Sequence, residues 1–359
     1  LEGENLISAG RWVITDKTLY HGDEWFDEFK ESVEAKRKNQ AKYLRQTPFL
    51  DRDAKPMMII QPTFAEVDSL SEFVTQDVIK MQDENSLGES GGNMVSMRQG
   101  QQKNRFLMEA PVLMGGSTVY MLLTAHIGDE FNMDPRKPPP KKLQYLSGGI
   151  KLKGVPEKFT FVMNNCYHCY NARPLINQGT KAPEYPRDAD DDMSGDTDLN
   201  SVFIRVLRSK AGPSGMPTEL IVSQTEGVKA TLTEFHYIKT NERFGLEGND
   251  RNYNLALAPH HKLSRTTVRS KTEEFRDLRR AMTITSDLCQ MRNMWHHYEK
   301  DFLCTAEELR DDLIAKGYDW AVLLNTREWW TLDNEKHPIK FLTTMDLLRM
   351  QIGRASCRE

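Results

Sequence analysis

Near the start of the sequence, an apolar segment is followed by a carboxylate and two hydroxyl groups. The segment PMMIIQPTFAEVDSLSEF, residues 56 to 73, carries apolar residues and then Asp68, Ser69 and Ser71. An Asp at the end of a strand is suited to a nucleotide site, where Mg²⁺ is held by one or two carboxylates and by phosphates. The alternative is structural, because Asp and Ser also form turns at strand ends. The nucleotide interpretation requires a phosphate-binding loop.

The sequence contains no complete phosphate-binding loop of the form G-x-x-x-x-G-K-[ST]. In such a loop backbone N–H groups cradle the phosphates, while the Lys and the hydroxyl serve phosphate oxygens and Mg²⁺. The nearest segment, GIKLKGVP, has Gly149 and Gly154 at the required spacing, but Val155 replaces the Lys. The chain begins without Met, in sequence that reads as the middle of a domain, and we expect it to be a fragment.

A histidine and a long basic loop follow the next apolar run. STVYMLLTAHIG, residues 117–128, predicts a strand buried on both faces, and His126 follows its apolar part. This His could donate a hydrogen bond to a phosphate; a histidine satisfied within the loop is the alternative. Residues 128–149 include three consecutive prolines, which exclude regular structure. The loop could bind nucleic-acid phosphates or be only a solvated basic loop. Its cations are Arg136, Lys137, Lys141 and Lys142.

Cysteine and histidine pairs raise the question of a metal site. Cys166 and Cys169 form a C-x-x-C pair, but a zinc site usually combines two such pairs. The segments PHH (259–261) and WHHY (295–298) each contain two adjacent histidines, which are expected to point to different sides. Ordinary thiols and isolated histidines are therefore the preferred interpretation, and a zinc-dependent module at the cysteine pair is the alternative.

Composition allows a protein of several domains. The chain has 359 residues, 38% of them hydrophobic, and a net charge of −4. Bulk charge therefore does not indicate nucleic acid, and any basic surface must be local. No segment approaches the ~20 apolar residues of a membrane span, so we expect no membrane partner. The five scattered cysteines favour reduced thiols and a cytoplasmic location.

The order of apolar and polar segments predicts an α/β protein. Two strands separated by chain of helix length favour a parallel sheet in the first half, and helices dominate after about residue 250. Thr305, followed by Glu307 and Glu308, is predicted to cap a helix. The other predicted elements are a helix at 23–45, a strand at 57–68, a loop at 83–97, strands at 158–170, 201–210 and 218–224, and helices at 272–282, 286–302 and 305–316.

Taken in order, these segments resemble the ATPase core of the RecA-type recombinases, in particular the phage branch of UvsX type. In that family a strand ends in Asp-Ser, as at Asp68 and Ser69, and a Gly-rich loop and a basic helix follow. A later strand ends in a polar residue, as at His126, and leads into a long loop. RVLRSKAGPSG, which begins at Arg205, is similar to a family segment whose basic residues reach the ATP of a neighbouring subunit. The similarity spans roughly residues 12 to 245.

The resemblance implies a fold and a division into domains. Residues 1–248 would form a RecA-like ATPase core with a mainly parallel central sheet flanked by helices, and residues 249–350 a mainly helical C-terminal domain. Residues 351–359 leave the helical pattern and are expected to be a non-native tail.

The resemblance also implies cofactors and site residues. ATP and Mg²⁺ would be the cofactors, with Asp68 and Ser69 at the Mg²⁺ site and His126 sensing the γ-phosphate. Arg208 and Lys210 would contact ATP bound to a neighbouring subunit. Two loops and the basic helix would hold DNA through Gly91, Gly92, Arg98, Lys103, Arg105, Arg136, Lys137, Lys141, Lys142, Gly148 and Gly149.

The implied function is that of an ATP-dependent recombinase. Such a protein forms helical filaments on single-stranded DNA and promotes strand exchange with double-stranded DNA, here in the cytoplasm, or in the host cytoplasm if a phage encodes it. The full-length protein would be a DNA-dependent ATPase, whereas this chain, which lacks the phosphate-binding loop and a convincing activating glutamate, is expected to be inactive. Two alternatives stay open: a RecA-fold helicase or motor, and an inactive RecA-like mediator or scaffold.

Overall fold

The computed structural model describes residues 21–84, 92–129, 144–146, 149–156, 158–187, 191, 195–328 and 340–353. The chain divides into two compact units. The first comprises residues 1–45 and 58–166, and the second comprises residues 46–57 and 167–359. The predicted boundary at residue 248 lies within the second unit, whose hydrophobic core includes residues from both sides of that position.

The described residues form eleven α-helices and thirteen strands. The helices are α1 (Gly22–Lys38), α2 (Gln40–Tyr43), α3 (Gln76–Glu84), α4 (Gly92–Met114), α5 (Phe159–Val162), α6 (Ala230–Thr240), α7 (Val268–Glu274), α8 (Arg276–Asn293), α9 (Ala306–Ala315), α10 (Trp320–Leu324) and α11 (Thr344–Gln351). The strands are β1 (Leu44–Leu50), β2 (Pro56–Ile60), β3 (Thr63–Val67), β4 (Val119–Leu123), β5 (Ile127–Asp129), β6 (Ile150–Leu152), β7 (Asn165–Pro174), β8 (Leu199–Ser209), β9 (Pro217–Ser223), β10 (Gly227–Val228), β11 (Leu246–Asn249), β12 (Asn252–Leu255) and β13 (Lys262–Leu263).

The mixed α/β class is confirmed, but a mainly parallel central sheet is not seen among the described residues. β3 and β4 are parallel, whereas β5–β6, β8–β9, β9–β10, β11–β12 and β12–β13 are antiparallel. Strands joined by short turns pair antiparallel, and a parallel pair needs a long crossover. The chain between β3 and β4 includes α3 and α4, which supply such a crossover.

In the first unit, one face of the parallel pair is covered by helix. Phe29 and Val33 on α1 are buried with Val119 of β4. On the opposite face Phe64, Tyr120 and Leu122 are 66%, 52% and 54% exposed. The expectation that residues 117–128 form a strand buried on both faces is therefore wrong for the described chain, because α1 covers only one side.

Three predicted boundaries in the first half are corrected by the structure. The strand expected at 57–68 is divided into β2 and β3 at Pro62, a residue without a backbone N–H for a sheet hydrogen bond. The loop expected at 83–97 is helical from Gly92 onward, since Val95 is buried on the inner side of α4. The strand expected at 158–170 starts only at Asn165, because α5 precedes it.

The second unit combines a four-stranded sheet with a helical core. The strand order is β10-β9-β8-β7, and the predicted pairing of the segments at 201–210 and 218–224 is confirmed as the β8–β9 hairpin. The predicted cap is also confirmed: Thr305 and Glu308 form a capping box at α9. The helix expected at 286–302 is instead the end of α8, which stops at Asn293 and is followed by two short 3₁₀ turns. No helix in the described part of the chain has the length and apolar character needed to cross a membrane.

Candidate functional site

Asp68 and Thr124 lie together at the carboxyl end of the parallel strands. Val67 pairs with Leu123 at the end of the β3–β4 register, so the next residue of each strand faces the other. The Thr124 hydroxyl donates to Asp68 Oδ1 at 2.5 Å, and the Thr124 backbone N–H donates to the Val67 carbonyl at 3.1 Å. Asp68 is exposed. The site therefore offers solvent a carboxylate whose position is fixed by a neighbouring strand.

Ser69 adds a polar group with no partner at this edge. Its hydroxyl oxygen is buried and makes no hydrogen bond with the described residues. The peptide bond between Asp68 and Ser69 is cis, and the N–H of Leu70 donates to the Thr124 carbonyl at 2.9 Å. Buried hydroxyls are normally satisfied by protein, water or ligand. A hydrated Mg²⁺ held partly by a carboxylate fits this pair of groups.

His126 is held by its backbone two residues beyond Thr124. Its N–H donates to Ser71 Oγ at 2.9 Å, and the Ser71 hydroxyl donates to the Lys153 carbonyl at 2.9 Å. The Lys153 N–H in turn donates to the His126 carbonyl at 2.8 Å. His126 itself is exposed. The structure thus brings His126 to the same strand end as Asp68, with a fixed backbone and a solvent-accessible side chain.

The long basic loop starts directly after His126. β5 and β6 pair antiparallel from Ile127 opposite Leu152 to Asp129 opposite Ile150. This pairing holds the two ends of the loop together. Gly149 lies at the loop's return with a φ of 84°, a left-handed conformation that favours glycine. Five of the expected DNA-binding positions here lie outside the described residues: Arg136, Lys137, Lys141, Lys142 and Gly148.

Lys103 is placed differently from the sequence expectation. It is buried, and its ammonium donates to the carbonyls of Ser71 at 2.6 Å and Gly154 at 2.7 Å. Burial lowers the pKa of Lys103, and the nearby Glu72 carboxylate partly opposes that effect. A Cβ at Gly154 would approach the Ser71 carbonyl oxygen to 3.0 Å. Lys103 thus ties α4 to the segment after β6, and its charge is not presented at the surface.

Arg98 and Arg105 lie on one side of α4, because seven residues are close to two helical turns. Arg98 pairs with Asp77 at 3.1 Å, and Arg105 pairs with Glu109 at 2.7 Å. Exposed ion pairs of this kind contribute little stability, so either arginine can exchange its carboxylate partner for a phosphate. Gly92 begins the helix, whereas Gly91 lies outside the described residues.

A groove of about 630 Å³ lies beside the same helix. It separates the N-terminal half of α4 from the segment after β6. Polar and apolar groups contribute about equally to its lining, and the polar side chains include Ser96, Gln99, Asn104 and Lys158. The groove thus offers a surface of mixed polarity alongside the helix that sequence analysis assigned to DNA.

In the second unit, Arg208 and Lys210 lie at the end of β8. Arg208 is half-buried, and Lys210 is exposed. Arg205 of β8 lies 4.9 Å from the centre of the Tyr170 ring on β7. In the same way, Arg173 of β7 lies 4.9 Å from the centre of the Phe203 ring on β8. Sequence reasoning identified the basic residues of β8 but missed these aromatic partners, because they depend on which strands are neighbours.

The cysteine and histidine pairs have different outcomes. Cys166 is buried and Cys169 is exposed, as expected for positions three apart on β7, which point to opposite faces. The expectation for His260 and His261 is wrong. Both rings direct Nε2 toward the same oxygen of Asp277, at 2.8 Å each. The turn after β12 brings the two side chains to one side.

Sequence reasoning also missed Thr124 and Lys153, and it named Ser71 without identifying its partners. Thr124 directly follows the apolar run of β4, so the pairing of two parallel strand ends would have revealed it. Ser71 and Lys153 are 82 residues apart, and no local signal connects them. No family model matches the chain, and no curated protein shows significant similarity to it.

Proposed function

We propose that this chain is part of a RecA-like recombinase, an ATP-dependent protein that forms filaments on single-stranded DNA and promotes exchange with double-stranded DNA. The observation that carries the proposal is the position of His126. It follows Thr124, whose hydroxyl holds Asp68, and it precedes the β5–β6 hairpin that closes the long basic loop. One short segment thus connects a candidate nucleotide site with a candidate DNA loop.

At the nucleotide site, each side chain has a distinct part. Asp68, fixed by Thr124, would be the carboxylate that holds hydrated Mg²⁺, and the unsatisfied Ser69 hydroxyl would supply a further polar group. Bound ATP would add phosphate charge to this site. His126 would respond to that charge by donating a hydrogen bond to a phosphate. Its main chain is bonded to Ser71 and Lys153, so a shift of His126 displaces the base of the loop.

The proposed core is larger than the parallel pair in the described residues. Parallel sheets in α/β proteins are covered on both faces, and Phe64, Tyr120 and Leu122 form an apolar face that such a core would cover. Further parallel strands, together with the phosphate-binding loop, would come from chain that precedes this sequence. Finding no G-x-x-x-x-G-K-[ST] within about 100 upstream codons, roughly one domain, would overturn the proposal.

DNA binding is assigned to two regions of the first unit. One is the exposed side of α4 that carries Arg98 and Arg105. The other is the loop between β5 and β6, with Lys141 and Lys142. Lys103 is left out of this surface because its ammonium is bound to two carbonyls.

Self-assembly is assigned to the second unit. Arg208 and Lys210 would stabilise phosphate charge across a subunit interface, where preorganised cations are effective. Electron microscopy of the full-length protein with ATP and DNA is expected to show helical filaments. Closed rings would instead indicate a hexameric motor and would contradict this part of the proposal.

Salt-dependent DNA binding tests the loop assignment. For K141A/K142A we expect weaker binding to a fluorescent polythymidine oligonucleotide in anisotropy titrations. Each phosphate contact to a single strand contributes about 0.7 to the slope of log K against log [salt], so the slope should fall by about 1.4. The matched control is K300A/K316A, which removes the same charge from exposed positions in the second unit. Equal affinity and slope in the wild type and K141A/K142A would remove the loop from the DNA site.

A further inference from the structure

Two histidines and an aspartate of the second unit converge at a place unrelated to the site described above. His260 and His261 lie in the turn between β12 and β13, and Asp277 is the second residue of α8. Both Nε2 atoms lie 2.8 Å from Asp277 Oδ2. Among the described residues, these three form the one group of at least three His, Cys, Asp or Glu side chains whose ligand atoms lie within 4.8 Å of each other.

The local structure holds these groups in place before any ligand arrives. The N–H of His261 donates to the Ala258 carbonyl at 3.1 Å, which closes the turn. The His261 ring packs against Phe275, with ring centroids 4.6 Å apart, and its side chain is 11% exposed. Asp277 lies in the first turn of α8, where the helix dipole stabilises a carboxylate. The orientation of His261 is thus set by packing.

From this arrangement, we propose that His260, His261 and Asp277 form a binding site for Zn²⁺ or a similar late first-row divalent cation. The ligands are the two Nε2 atoms and one carboxylate oxygen. Zinc binds such atoms at about 2.0–2.2 Å in tetrahedral geometry, which separates neighbouring ligand atoms by about 3.4 Å. The two 2.8 Å separations therefore need to widen by about 0.6 Å. The exposed His260 side chain can move by this amount, and a small rotation of the Asp277 carboxyl group would widen its separation from His261.

The donor set decides the class of metal. Two imidazoles with one carboxylate suit zinc and its neighbours, whereas Mg²⁺ and Ca²⁺ prefer oxygen ligands alone. Three protein ligands leave a fourth position for water, a substrate or a further ligand. The His260 side chain is 59% exposed, so this position faces solvent. A bound cation would link the β12–β13 turn to the start of α8 and stabilise the second unit.

Zinc titration of the full chain tests the proposal. Protein freed of metal with a chelator is titrated with ZnCl₂ alone, and the dissociation constant is measured in competition with a chromophoric chelator. Outer partners of metal ligands already change affinity by 10–100-fold, so loss of a ligand should weaken binding by at least about 100-fold. We expect this loss in H260A and in D277N, which keeps the shape of the aspartate.

The second histidine pair provides a matched control. His296 and His297 are also adjacent, with ring centroids 4.1 Å apart, so H296A should bind zinc as the wild type does. Co²⁺ should give a visible absorption spectrum in the wild type that is absent in H260A. Zinc should raise the thermal midpoint of the wild type and of H296A, because the metal binds the folded chain, but not that of H260A.

Two results would overturn the metal site. One is a wild-type chain that binds no zinc at micromolar concentration, which would leave a triad held only by hydrogen bonds. The other is unchanged zinc affinity in both H260A and D277N. Because His260 is exposed, H260A is expected to fold, which circular dichroism would verify.

Discussion

The substitution Glu234→Gln tests how a buried carboxyl group makes the stability of the second unit depend on pH. Glu234 lies on α6, and both of its carboxyl oxygens are 3.2 Å from the Thr283 hydroxyl on α8. Burial raises the pKa of Glu234 to about 7, and the neighbouring Glu328 carboxylate adds to that increase. The Thr283 hydrogen bond and the Arg280 guanidinium act in the opposite direction, but they do not outweigh burial.

The sign of the pH effect follows from this raised pKa. The folded chain keeps a proton on Glu234 that the unfolded chain releases above its ordinary pKa of 4.5. The stabilising contribution is complete below pH 4.5 and is lost as the pH rises through about 7. At about 1.4 kcal/mol per pH unit, the loss by pH 8 is about 3 kcal/mol of unfolding free energy. Glutamine cannot ionise and therefore avoids this loss.

Urea unfolding at pH 5 and pH 8, followed by circular dichroism, measures the effect. At pH 8 the variant E234Q should be more stable than the wild type by about 3 kcal/mol, and at pH 5 by less than about 1 kcal/mol. The control is E242Q, because Glu242 is 80% exposed and pairs only at the surface with Arg292. It should change stability little at either pH. An equal effect of E234Q at both pH values would refute the reasoning.

Two further predictions concern buried charges. Lys103→Met leaves the carbonyls of Ser71 and Gly154 without their donor. We expect a loss of about 2 kcal/mol in unfolding free energy, measured by urea unfolding. The salt slope of DNA binding should stay unchanged, since the ammonium is not at the surface. Although burial opposes it, hydrogen bonds from Ser223 and Thr225 hold the pKa of Asp198 at about 2. Its stabilising contribution is present above pH 4 and is lost as the pH falls toward 2. D198N should therefore make stability less dependent on pH below about 4 in acid unfolding followed by circular dichroism. If stability falls as steeply with acidity in D198N as in the wild type, the assignment is wrong.

Local sequence pattern was sufficient for several elements. The apolar run before Asp68 and the run before His126 both form strands, because short apolar runs with β-branched residues favour strand structure. The β8–β9 hairpin and the cap at Thr305 were also predictable. A cap and a hairpin are formed by residues close in the chain, so their types and spacing carry most of the information.

Other features depended on contacts between residues far apart in the chain. The contact of Thr124 with Asp68 joins residues 56 positions apart, and the burial of Lys103 depends on carbonyls from two other segments. The sequence alone does not distinguish a lysine that faces solvent from one whose ammonium donates to backbone carbonyls.

The sequence by itself determined where strands end in polar residues and where a helix is capped. The tertiary structure alone decided that Asp68 and His126 lie at one strand end, and that His260 and His261 face Asp277. The physical reason is that propensity and apolar pattern act over a few residues. A site requires groups from distant segments, and only the packing of those segments brings them together.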